Sequence, residues 1–355
     1  MEKERRLWLF DLLKIIFTVI VVIGHSRYIS KSILFPSGGG YAVEFFFTLS
    51  GFMLVKSYEK RLGKGNNDSF EAYNYTKRRL LYFAPGYVIS FVLVYAGLFI
   101  SEILQNGFVS SFKVLPKRSF IAILELLGLQ MFGFCDSVIN GPTWYLSAML
   151  ICGMIIFFLL CSCYKTTKYV VAPVGGLLLL GFGYNHLNEF LAWEIYPFGL
   201  VRAMSCMLLG VFSYVISEEL DNSKMILEIG NNIGKTIRCS IEITGWIILF
   251  LIAITCESYD KSFFVFEIIC VLWVGITGSK YSIQKTKVMS NKIEKVSKYM
   301  FSLYMTHFFA LYIVRIVNQG RGYFDGIGLY IVFAIIVAAI EYILENGYKM
   351  KRKKV

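Results

Sequence analysis

The stretch LFDLLKIIFTVIVVIGHS, residues 9–26, decides how this chain is read. It is long and apolar enough to cross a bilayer as one helix, yet it holds Lys14 and His25. The two stand eleven positions apart. At 100° per residue the second side chain leaves within about 20° of the first, about 16 Å further along the axis. One helix face therefore carries a polar group near each end of a span. An ionisable side chain inside a span is costly and is read first as functional.

The remaining sequence extends this pattern. The 355 residues are 56% hydrophobic with a mean hydropathy of +0.60, values of a polytopic membrane protein rather than a soluble domain. Arg5 and Arg6 precede the first run as in a signal peptide, but no small-residue cleavage site follows, so a retained helix is expected. The net charge of +12 sits mostly between apolar runs, which fits positive-inside anchoring and argues against a nucleic-acid partner. The eight cysteines fall mostly within apolar runs and form no CxxC, so they read as small buried residues with neither a disulfide framework nor a metal site.

Apolar runs of crossing length fall at 8–25, 41–57, 79–101, 143–163, 168–184, 197–216, 240–256, 262–279, 298–317 and 327–346. The expected fold is an all-α, polytopic membrane helical bundle of about ten transmembrane helices. It forms one domain over residues 1–355, with both termini cytoplasmic. A further run, 119–134, is interrupted by Glu125, Gly128 and Gln130. If it crossed, the lysine-rich 280–298 loop and the basic tail would both lie outside, against the positive-inside rule. It is therefore expected to be interfacial or re-entrant on the outer side. The Lys165/Lys168 turn is expected to face the cytoplasm.

Several polar groups lie within or beside these spans. Lys14 reads either as a lysine snorkelling beside Asp11 or as a functional cation near the inner leaflet. His25, near the outer leaflet, suits a general base because imidazole titrates near neutral pH. Glu44 opens the stretch EFFFTLSGF (44–52) and is placed to orient His25, as a carboxylate orients a catalytic histidine. Ser50-Gly51 reads as a site of close helix packing. Lys77, Arg78 and Arg79 stand at the mouth of the third span, as a positive-inside anchor or as a phosphate site. Trp144 begins the fourth span, where aromatic residues ordinarily form a belt. Arg202 lies inside the sixth span, at the depth expected for His25 and Glu44. Tyr304 and His307 lie near the middle of the ninth.

These motifs, in this order, resemble those of the acyltransferase type 3 family of integral membrane proteins, over nearly the whole chain. The opening helix of that family carries a basic residue and a histidine with ten residues between them, as Lys14 and His25 stand here. Lys14 replaces a frequent Arg, and Glu44 a frequent Asp. The stretch 77–85 resembles a basic segment ending in proline, with Tyr82 in place of a second Arg. TWYL (143–146) and SLYMTH (302–307) resemble two later motifs.

The resemblance implies transfer of an acyl group, most often acetyl, from acetyl-CoA or another acyl-CoA. The expected acceptor is a hydroxyl of an extracytoplasmic or lipid-linked glycan, such as a polysaccharide, reached from the cell membrane. In that expectation His25 and Glu44 are catalytic, and Lys14, Lys77, Arg78 and Arg79 bind the donor. Trp144, Arg202, Tyr304 and His307 bind the acceptor or support the site. No metal is called for, membrane lipid is the surrounding partner, and a homo-oligomer stays open. The competing class is a transporter or flippase of a polysaccharide precursor using the same polar lining. Such proteins often carry inverted repeats, and none is visible here.

Overall fold

The computed structural model describes residues 8–29, 39–63, 70–134, 138–191, 197–223, 232–256, 261–283, 287–318 and 323–352. Among them there is no strand, and helices account for almost every residue. In chain order they are α1 Trp8–His25, α2 Gly39–Leu62, α3 Phe70–Asn106, α4 Phe108–Leu126 and α5 Thr143–Ser162. Then come α6 Tyr164–Asn185, α7 Leu187–Leu191, α8 Phe198–Asn222 and α9 Asn232–Thr255. The last three are α10 Ser262–Gly278, α11 Lys287–Val317 and α12 Tyr323–Arg352. This is an all-α polytopic bundle, as the sequence predicts.

Eight helices among the described residues are long and apolar enough to cross a membrane: α1, α3, α5, α6, α8, α9, α11 and α12. The other two expected spans, α2 and α10, are helical but fall short for physical reasons. The apolar helix α10 has 17 residues. In α2, by contrast, Glu44, Thr48, Tyr41, Phe45, Phe47, Phe52, Leu54, Val55 and Tyr58 are all at most 1% exposed. Both main hydrophobic cores draw on α2, one shared with α1, α9 and α10 and the other with α5 and α8. A helix sheathed in protein need not be apolar all round, and this one carries polar groups that lipid would exclude.

The contact of α2 with α8 is a backbone contact. A Cβ on Gly51 would stand 2.0 Å from the Met207 carbonyl oxygen, and one on Gly210 would stand 2.0 Å from that of Thr48. Gly51 thus serves the close approach expected of it. Beside it, the Ser50 hydroxyl donates to the Phe46 carbonyl at 2.7 Å.

Arg79, Lys298 and Lys349 mark the basic end of the bundle, and His25, Gly39 and Phe198 lie toward the far end. Near the basic end, Lys168 is 1% exposed rather than part of a solvated turn. It donates to Glu59 at 3.1 Å and to Glu218, while Tyr164 and Tyr214 also donate to Glu59. This cluster ties α2, α6 and α8. Lys168 sits in the π-helical segment Thr167–Gly175, which also contains Pro173. A proline removes a donor from the helix ladder, and a widened turn is one way to absorb the loss.

The first part of the 119–134 run, up to Leu126, is the end of α4, which forms a hairpin with α3. Phe112 packs on Phe99, the Tyr95 and Ser119 hydroxyls are 3.2 Å apart, and Tyr87 donates to the Glu125 carbonyl. So α4 returns antiparallel along the far half of α3 and stops beside Tyr87, about 12 Å short of Arg79. After α4 come left-handed Gly128, a 3-10 turn at Leu129–Phe132 and left-handed Gly133, and the next described helix, α5, runs toward the basic end. The helix α4 is not among the eight described helices long and apolar enough to cross a membrane.

We expect Gly51→Val to abolish a monodisperse, folded peak in detergent gel filtration. The added carbons meet a backbone carbonyl that cannot move aside, a worse case than ordinary overpacking at about 1–3 kcal/mol. Gly181→Ala is the control, because nothing lies within 4 Å of its Cβ. Equal behaviour of the two variants would refute the close contact of α2 and α8.

Candidate active site

The first helix delivers its two polar residues to different places. At its far end, His25 Nδ1 lies 2.9 Å from the Val21 carbonyl oxygen and 3.2 Å from His307 Nε2. The His307 Nδ1 in turn lies 2.7 Å from the Tyr304 carbonyl oxygen. Carbonyl oxygens only accept, so in the neutral pair each Nδ1 carries the proton. His307 Nε2 is then an acceptor facing His25, and the lone pair of His25 falls on Nε2. His307 is fully buried, as expected of an intramembrane histidine, whereas His25 is only partly covered. One imidazole thus steers the other.

The helix carrying His307 is held from the side of α4. Glu125, fully buried, accepts from the backbone N–H of Ile139 at 2.7 Å and of Asn140 at 2.9 Å, and from the Thr143 hydroxyl at 2.8 Å. That fixes the turn into α5. From this turn Asn140 Nδ2 donates to the Met305 carbonyl at 3.0 Å, and the Pro142 carbonyl accepts from Tyr304 at 3.3 Å. The polar residues that interrupt the 119–134 run therefore serve the turn and, through it, α11.

Glu44 does not orient His25. Both its oxygens are taken by Arg202, one by Nε and the other by Nη2 at 2.8 Å. Arg202 also reaches the Gly40 carbonyl at 3.2 Å, and its guanidinium lies over the rings of Trp144 and Phe263. Trp144 is 5% exposed and is a support for this ion pair rather than a belt residue. The pair is also not level with His25. Phe45, next to Glu44, stacks on Phe17 with ring centroids 4.4 Å apart. Phe17 lies eight residues, about 12 Å, from His25 along α1. On the opposite wall Glu267 of α10 accepts from Thr48 at 2.7 Å. Glu267 was not singled out in the sequence, although a carboxylate inside SFFVFEIICVLWVGITG is the same signal that marked Glu44.

At the basic end Lys14 pairs with Asp11 at 3.2 Å and lines a cavity of about 1100 Å³. Arg79, Lys298 and Lys349 line it too. Arg79 is the only member of the 77–79 triplet there, for a geometric reason: successive residues on a helix point about 100° apart. Arg78 is paired with Glu71 at 3.0 Å, and Lys77 lies over the exposed ring of Tyr73. Lys298 and Lys349, in the loops and tail of the sequence reading, supply cations that the triplet does not. Of its lining residues, Thr18, Phe46, Tyr145 and Tyr304 are the ones furthest along α1, α2, α5 and α11 toward the far end.

A family model described as an acyltransferase domain, that of acyltransferase type 3, matches residues 8–345. The match covers nearly the whole chain, and the protein belongs to that family. No curated protein and no solved structure matches it. The chain is thus a multi-pass membrane acyltransferase.

Arg202→Leu is expected to destabilise the protein by about 3–5 kcal/mol, because it strands the buried Glu44 carboxylate. Combining it with Glu44→Leu should recover most of that loss, since the orphaned charge goes too. Denaturant unfolding in detergent, followed by tryptophan fluorescence, measures both. A double variant as unstable as the single would remove the ion pair as the cause.

Proposed function

We propose that the protein is an O-acyltransferase that moves an acyl group, most simply acetyl, from cytoplasmic acyl-CoA to a hydroxyl of an extracytoplasmic or lipid-linked glycan. The observation that supports this most is the cavity. It enters at the basic end past Lys14, Arg79, Lys298 and Lys349 and stops at Tyr304, three residues from His307. A basic mouth suits the phosphates of the donor, with Arg79 as a planar fork and the lysines as point charges. The depth lined by Phe46, Leu49, Tyr145 and Met149 is apolar, which suits the pantetheine arm and thioester. By the positive-inside rule the mouth faces the cytoplasm and His25 the outside of the cell membrane.

In this reading His25 Nε2 takes the proton of the acceptor hydroxyl. The oxygen attacks the thioester carbonyl, the carbon–sulfur bond breaks, and coenzyme A leaves with its sulfur bearing the electron pair. The imidazolium gives its proton to solvent on the far side, and the thiolate takes one from solvent in the donor cavity, so the exchange balances without a path between the two. His307 Nε2 accepts from the Nδ1–H of His25 in both protonation states, so it stabilises the charged one. Glu44 and Arg202 act as the structural pair described above, and Lys14 holds the donor midway along its path. The site needs no metal in this scheme.

With labelled acetyl-CoA and purified protein in lipid, His25→Ala should lower acyl transfer by about 10²–10⁴-fold while insertion is unchanged. Near wild-type turnover would exclude His25 as the base. Lys14→Arg should retain activity and Lys14→Ala should raise the KM for the donor; full activity in both would leave Lys14 as a surface anchor. For orientation, an impermeant thiol reagent applied to sealed cells should label Asn188→Cys and leave Lys285→Cys untouched. The reverse pattern would invert the donor side.

A further inference from the structure

The cavity and the histidine pair do not meet. Neither His25 nor His307 lines the cavity, whose lining residues furthest along their helices toward the histidines are Thr18, Phe46, Tyr145 and Tyr304. The three rings of Phe46, Tyr145 and Tyr304 close a triangle. Their centroids are 6.1 Å apart for Phe46–Tyr145, 6.2 Å for Phe46–Tyr304 and 6.0 Å for Tyr145–Tyr304, each pair edge-on. Each corner comes from a different helix: α2, α5 and α11. Two corners are pinned by their hydroxyls, Tyr145 to the Phe46 carbonyl at 3.2 Å and to Ser50 at 3.1 Å, and Tyr304 to the Pro142 carbonyl. On the far side of Tyr304 stands His307, with ring centroids 6.1 Å apart.

We infer that Phe46, Tyr145 and Tyr304 form a size filter that admits only a short acyl group from the donor cavity to the histidines. The inference rests on the acyl-transfer reading and adds the class of donor. A donor thioester arriving from the basic end must push its acyl carbon between three rings that touch edge to face. A two- or three-carbon acyl group needs one ring edge to yield. A longer chain must hold the triangle open along its whole length, against hydroxyl bonds that return two of the rings. The edge-on packing also keeps the two ends of the bundle separate between turnovers.

Acyl-chain preference tests this directly, with kcat/KM for acetyl-, propionyl-, butyryl- and octanoyl-CoA measured on the full-length protein in lipid. One methylene in an apolar pocket is worth about 10–200-fold in discrimination. The wild type should therefore use acetyl and propionyl groups and fall at least about tenfold at butyryl. Phe46→Ala should raise the butyryl-to-acetyl ratio at least about tenfold. Phe46→Leu, a milder change, should raise it by less. Tyr145→Phe keeps the ring and loses the hydroxyl bonds that return it, so it should raise the ratio, but by less than Phe46→Ala. Wild-type protein that uses octanoyl-CoA as well as acetyl-CoA would overturn the filter. So would an unchanged ratio in whichever of the two Phe46 variants still transfers acetyl. Wild-type protein that transfers no acyl group from any of these donors would instead overturn the acyl-CoA reading itself.

Discussion

A guanidinium enclosed in a helical bundle has few stable arrangements, and Arg202 has found a demanding one. It meets Glu44 through two nitrogens, a backbone carbonyl at Gly40 through the second of them, and two aromatic faces. A charge pair out of water repays its desolvation only with such complete pairing. The condition fixes the rotation and height of α2 against α8, and the glycines at Gly51 and Gly210 then let the backbones close. With α2 locked in the centre, α1 and α10 pack on one side of it and α5 on the other. The cavity is lined by α1, α2, α3, α5, α11 and α12, and the aromatic triangle by α2, α5 and α11.

The arrangement separates two tasks. The basic end gathers cations from α1, α3, α11 and α12 around an open cavity, which suits a large anionic donor. The far end holds a histidine pair whose tautomers are set by two backbone carbonyls. Three aromatic rings stand between them. An enzyme that takes its donor from one side and its acceptor from the other needs such a division, since a continuous aqueous channel would leak protons.

Much of this was legible in the sequence, and what was not has a physical reason. Helical periodicity and span length fixed α1, and the lone Lys14 and His25 marked its ends. Intramembrane polarity flagged Glu44, Arg202 and His307, because lipid tolerates such groups only when they are paired. Which partner each takes is a tertiary fact. Glu44 and His25 both lie toward the far end, yet the offset of α1 against α2 separates them by about two helical turns. The triplet 77–79 looked like one cluster in the sequence, but the helix fans it out and leaves Arg79 alone in the cavity. Lys168 looked like a topological anchor and is a buried ion-cluster residue. The role of Glu125 was illegible because two of its three partners are backbone N–H groups, which leave no mark on sequence.

The α3–α4 hairpin has a practical consequence. With 37 residues α3 extends about 55 Å, well beyond the roughly 30 Å hydrocarbon thickness. Its tip at Gly107 adopts a left-handed backbone with φ +78° and open space around the Cβ position. The tip thus stands clear of the packed bundle, while the restraints on α11 come from the other end of α4, near Glu125 and Asn140. An epitope or fluorescent reporter spliced in at Gly107 would sit outside the mechanical circuit of the histidines. That gives a way to count molecules and report their sidedness in living cells without silencing them.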